Sequence, residues 1–89
     1  MFTWINKQGV RSSDGFEVQF TGRFTAEYRE GARYLVVEVE GGGNAMMDFN
    51  SKAFERWVNS SERNSPSEQS RMINNFMAAL KFQGLYGIP

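Results

Sequence analysis

The sequence predicts an α+β fold, an antiparallel β-meander of three to five strands followed by two C-terminal helices packed on one sheet face. Three observations carry that expectation. Apolar and polar residues alternate from Phe16 to Phe49, the period of a half-buried strand. Beyond Phe49 the apolar spacing lengthens to the i, i+3, i+4 pattern of an amphipathic helix. All strand-like segments precede all helical ones, the order expected when helices collect on one face of an antiparallel sheet.

Each element can be justified in turn. Met1 to Lys7 meets a polar residue before it builds an apolar signal core, and no run reaches membrane-spanning length, so the chain reads as soluble and cytoplasmic. Asn6 to Gly15 reads as a loop, with Val10 leaving room for a short strand. Phe16, Val18 and Phe20, then Phe24, Ala26 and Tyr28, share one parity across Thr21-Gly22-Arg23. They form either two strands with a three-residue turn, the preferred reading, or one strand bent at Gly22. Gly31-Ala32 fits a two-residue type II′ turn between Glu30 and Arg33, which sets Tyr28 opposite Leu35, Ala26 opposite Val37, Phe24 opposite Val39 and Arg23 opposite Glu40.

The stretch "VEVEGGGNAMMDF" then offers three glycines that could cradle a phosphate or make a turn. A phosphate loop needs a helix directly behind it, and here a strand-like Asn44 to Phe49 follows. The turn reading is therefore preferred, with Glu40 opposite Asn44, Val39 opposite Ala45, Val37 opposite Met47 and Leu35 opposite Phe49. Ser51 is the expected cap of a short helix with Phe54, Trp57 and Val58 on one face. Ser65-Pro66-Ser67-Glu68 is a capping box with proline at the first helical position, opening a helix that carries Met72, Ile73, Phe76, Met77 and Leu80 and stops before Gly84. Leu85 to Pro89 either adds an edge strand or packs.

Composition narrows the chemistry. With 89 residues the chain is one domain, 1–89, whose apolar residues are mostly consumed by its core. Ten Lys and Arg balance ten Asp and Glu, so no global field draws nucleic acid or an anionic membrane. The absence of cysteine removes disulfides, thiolate nucleophiles and Cys-ligated metals, and the absence of histidine removes the commonest general base and imidazole ligand. A non-enzymatic protein without a cofactor is the expectation.

Helices on one sheet face leave the other face open, and by parity it carries the candidate site. Tyr34, Val36 and Met46 would form an apolar centre, and Arg23, Arg29, Glu38 and Asp48 a polar rim, for a protein partner. The competing reading is a solvated face whose charges only confer solubility. Three sharper alternatives are weaker: Glu38, Glu40 and Asp48 as Mg²⁺ or Ca²⁺ ligands, Arg23, Arg29 and Tyr34 as a single-stranded nucleic-acid platform, and Glu38 with Glu40 as an acid pair. The expected state is a monomer or weak homodimer.

The order of "YREGARYLVVEVEGG", "FERWVNSS" and "SPSEQSRMINNFMAALKFQG" resembles small immunity proteins of bacterial polymorphic toxin systems. That resemblance covers Tyr28 to Gly84 and implies a protein that binds and neutralises a cognate toxin; it transfers no functional residue. The alternative function is a small accessory domain with a small-ligand site between sheet and helices.

Overall fold

The computed structural model describes every residue from Met1 to Pro89. Seven strands form one sheet in which chain order and spatial order coincide: β1 (Phe2–Asn6), β2 (Gly9–Ser12), β3 (Glu17–Gly22), β4 (Thr25–Glu30), β5 (Arg33–Gly43), β6 (Met46–Phe49) and β7 (Tyr86–Ile88). Strands β1 to β6 pair antiparallel with their neighbours, and β7 joins β6 in parallel. One α-helix, α1 (Pro66–Phe82), and a five-residue 3₁₀ helix, Ser51–Glu55, complete the chain. The expected architecture is corrected accordingly: a seven-stranded, curled, mixed sheet replaces a meander of three to five strands, and one α-helix replaces two.

The added strands are short. β1 and β2 form a hairpin across Lys7-Gln8, and of β2 only Val10 puts a large apolar side chain wholly out of solvent, so the hairpin left little periodic trace. β7 is three residues long and pairs Met46 with Tyr86, Met47 with Gly87 and Asp48 with Ile88. It can lie under the helix because Gly87 has no side chain; a Cβ there would sit 3.0 Å from a Leu80 methyl and 3.2 Å from Met77 Cγ.

The missing helix has a physical cause. Asn50, not Ser51, caps the segment, its Oδ1 accepting from Lys52 N–H at 3.0 Å, and by Arg56 the chain is extended at φ −148°. Straightening there carries Trp57 into the core, where its ring stacks on Tyr28 with centroids 6.2 Å apart. Val58, expected on the same face, is exposed, while its N–H donates to the Tyr34 carbonyl at 2.9 Å.

Registers hold in one hairpin and shift in the next. In β4–β5, Tyr28 faces Leu35, Ala26 faces Val37 and Glu30 faces Arg33 as expected, with Gly31 alone of the two turn residues at positive φ, +61°. Residues 17–30 are two strands, but the turn is Arg23-Phe24 with a bulge between Phe20 and Gly22. Phe24 is therefore exposed rather than inward, and Arg23 lies in the turn rather than opposite Glu40. In β5–β6 the glycines belong to the strand: β5 runs to Gly43, a bulge follows Gly41, and the turn is Asn44-Ala45, with φ of +51° and +62°. Two positive φ values in a two-residue loop define a type I′ turn. The pairs become Val39 with Phe49, Glu40 with Asp48 and Gly41 with Met47. Val39 and Phe49 still point inward because the register moves by an even number of residues.

Helix α1 begins and ends on its sequence signals. Ser65 Oγ accepts from Glu68 N–H at 3.2 Å, but the expected capping box is only half formed, because the Glu68 carboxylate takes two hydrogen bonds from Arg71 instead of reaching back to the Ser65 N–H. At the far end Gly84, at φ +83°, donates to Lys81, and Leu85 N–H donates to the Leu80 carbonyl at 2.9 Å, a Schellman closure. Its buried face, Met72, Phe76, Ala79 and Leu80, covers a core in which Phe49, Phe54 and Phe76 meet edge to face. Tyr28 stacks on Phe16 as well as Trp57, donates its hydroxyl proton to Glu30 and accepts from Asn75 at 3.0 Å. Glu30 in turn receives both Nη atoms of Arg71, at 2.9 and 3.0 Å.

Two predictions test these features. Ala45 holds a left-handed conformation that costs a Cβ-bearing residue about 1 kcal/mol, so Ala45→Gly should raise stability by about 0.5 kcal/mol or more in urea unfolding. An unchanged or lower midpoint would reject the type I′ turn.

Burial, followed by the bond to Glu30, raises the Tyr28 phenol above its ordinary value of 10.0. Below that pH both states keep the proton; above it the unfolded chain ionises while the folded one resists, so stability falls as pH rises beyond about 10. Tyr28→Phe should cost about 1–2 kcal/mol at neutral pH and flatten the alkaline decline relative to wild type. Parallel declines in denaturant titrations from pH 9 upward would contradict this account.

Candidate functional site

The outward face of β4 and β5 is set by the same alternation that fills the core. Arg29 pairs with Tyr34, Glu27 with Val36 and Thr25 with Glu38 across the hairpin. The Arg29 guanidinium lies over the Tyr34 ring, 4.9 Å from its centroid, and binds Glu27 Oε1 at 2.8 Å through Nη2. Tyr34 is half-buried beneath that cation, and Val36 beside it is 48% exposed. Tyr34, Val36 and Arg29 thus form one small amphipathic patch. A planar cation stacked on an aromatic ring and held by a carboxylate keeps little rotamer freedom, so the patch is partly pre-ordered.

The other expected site residues fall elsewhere. Met46 was expected beside Val36 and Glu38; it pairs with Gly43, nine residues along β5 from Tyr34 and about 30 Å away at roughly 3.3 Å per residue. The cause is the register change at the glycine-rich end of β5, which also moves Asp48 from Val36 to a position facing Glu40. Glu38, Glu40 and Asp48 line an open groove of about 670 Å³ with Phe24, Thr25 and Asn50. Arg23 stands at its border with its guanidinium 5.3 Å from the Phe24 ring centroid. The single patch expected from seven residues is therefore two regions, Tyr34, Val36 and Arg29 in one, Arg23, Glu38 and Asp48 around the other, with Met46 beyond both.

That separation bears on each alternative. Glu38, Glu40 and Asp48 line a broad surface and do not close into a group able to hold a metal ion. Arg23 and Arg29 sit in different regions, and Arg29 is already paired with Glu27, so no continuous cationic platform links them to Tyr34. The space between sheet and helix, where a small ligand was the alternative, is filled by a cluster of 15 buried residues, and the four principal cavities all open on the surface elsewhere.

Sequence reading missed one apolar surface altogether. Phe82, at the last turn of α1, packs on Phe2 and Trp4 with ring centroids 5.3 and 5.6 Å apart, and both Trp4 and Phe82 stay substantially exposed. The alternation of Phe2 and Trp4 was the available signal, but two aromatic residues are too short a run to establish a period. No helix is long and apolar enough to cross a membrane. No family model, no curated protein and no solved structure matches the chain, so the site stands on its own geometry.

Proposed function

We propose that the chain is a non-enzymatic domain that acts by binding another protein through the outward face of β4 and β5. The observation that carries this reading is Val36, half exposed beside a Tyr34 ring already clamped by Arg29 and rimmed by Glu27. An apolar centre with a charged border is the anatomy of a protein interface, and a pre-ordered aromatic loses little entropy when a partner covers it. The absence of histidine and cysteine, and the open form of the surface cavities, support binding rather than catalysis. The resemblance to immunity proteins makes a bacterial toxin the first partner class to test, and a cytoplasmic location belongs to the same proposal.

The test is to purify the partner recovered from source cells and titrate it with variants at two ionic strengths. Tyr34→Ala should weaken binding by about 2 kcal/mol, or roughly thirtyfold, with the melting temperature preserved. Arg29→Glu should slow association in a salt-dependent way. If both bind like wild type while the exposed helix variant Ala78→Arg loses binding, the partner sits on α1 and the sheet face is only solvated.

A further inference from the structure

Strand β1 has one partner, β2, and its other edge is open. β1 and β7, the two edge strands, are also the two strands with no charged residue, reading Phe-Thr-Trp-Ile-Asn and Tyr-Gly-Ile. Edge strands of monomers are normally defended by charge, because an open ladder recruits another strand. β1 instead leaves Trp4 50% and Ile5 40% exposed, with Phe82 alongside at 42%.

The hydrogen bonding of β1 defines what the open edge can accept. Ser13 N–H donates to the Met1 carbonyl at 2.9 Å, and the ladder continues with Phe2 opposite Ser12, Thr3 opposite Arg11 and Trp4 opposite Val10. Bonded and non-bonded pairs alternate in an antiparallel ladder, so Thr3 turns its N–H and C=O towards β2, and Phe2 and Trp4 turn theirs to the open edge. The Phe2 and Trp4 rings lie on the helix side, against Phe82, and the Thr3 side chain lies on the opposite, exposed side.

We propose that β1 is the seat of a homodimer, in which a second copy of this chain adds its β1 antiparallel about a twofold axis at Thr3. In that register Phe2 of each copy faces Trp4 of the other, and each such pair exchanges both of its backbone hydrogen bonds. The two Thr3 residues face each other in the close, non-bonded pairing, a favourable cross-strand combination, and the aromatic pairs continue onto Phe82 of both copies.

Self-complementarity identifies the occupant. The strand carries no charged side chain, and of the charges beside it the Met1 ammonium donates to Ser13 Oγ at 3.0 Å and Arg11 on β2 is paired with Glu17 at 2.8 Å. Zero formal net charge removes long-range repulsion between copies. Pairing of β1 with β7 of another copy would be heterologous and need not close, whereas β1 with β1 closes at two. The register irregularity between Trp4 and Asn6 limits the pairable run to Phe2, Thr3 and Trp4, so the dimer belongs among weak associations of small buried area. This proposal is independent of the β4–β5 face.

The test is sedimentation equilibrium of the full chain from about 10 µM to about 1 mM, the range in which weak dimers populate. Wild type should dimerise with rising concentration. Thr3→Lys and Thr3→Glu each place like charges across the axis and should weaken the dimer tenfold or more, while an equimolar mixture of the two should restore it. Unchanged melting curves will show that the exposed substitutions leave the fold intact. A chain that stays monomeric at the highest concentration, a dimer indifferent to both variants, a mixture that does not recover association, or a dimer dissolved by Tyr34→Ala instead would each overturn the proposal.

Discussion

Tyr28 couples the two halves of the molecule. Its ring has no solvent exposure and touches Phe16, Phe54 and Trp57, so it joins the β2–β3 connection, the 3₁₀ helix and the chain beyond it around β4. Burying that ring obliges its hydroxyl to find partners, since an unsatisfied buried hydroxyl costs about 1–3 kcal/mol. It finds Glu30 on its own strand and Asn75 on α1, and Glu30 holds Arg71 one turn earlier on the same helix. The azimuth of α1 on the sheet is thereby tied to polar geometry as well as to apolar packing. No buried side-chain polar atom is left without a partner. The bidentate contact of Arg71 with Glu30 adds direction to this lock more than raw stability, because Arg71 remains substantially solvated.

What was legible in the sequence follows from how much apolar area each segment commits. β4 and β5 commit Ala26, Tyr28, Leu35 and Val37, all inward, and their register was readable to the residue. Helix α1 was readable because Ser65, Pro66 and Gly84 each impose a local backbone state that little else can satisfy. β1 was not readable as a strand, and β2 and β7 only as open possibilities at Val10 and at Leu85 to Pro89, because runs of three to five residues with one or two inward side chains carry no measurable period. The β5–β6 register failed for a subtler reason. Gly43 does hold a positive φ of +82°, but the turn itself is made by Asn44 and Ala45, and Gly41-Gly42-Gly43 extend the strand instead of forming the loop. Parity holds for Val39, Met47 and Phe49, but Ala45, expected inward opposite Val39, lies exposed in the turn, and Met46 sits at the far end of β5.

The candidate site shows the same division between face and place. All of the expected residues on β4 and β5 do point outward, but a face is not a site until strand register brings its members within reach. Arg29, Tyr34 and Val36 meet because one hairpin holds them. Glu40 and Asp48 meet because the register of β5–β6 puts two carboxylates opposite each other with no ion pair to either. Like charges facing across strands oppose pairing, so the glycine-rich end of β5 is the weakly held part of the sheet and the β4–β5 hairpin the firmly held part.

The parallel pairing of β7 with β6 has a kinetic consequence. Every other strand pair is closed by a short connection, whereas Met46 and Tyr86 are forty residues apart and the 3₁₀ helix and α1 lie between them. Closing that loop is entropically costly until α1 has docked, because only then does Gly87 meet Leu80 and Met77. β7 is therefore expected to join last and leave first, its amides exchanging before those of the β4–β5 hairpin.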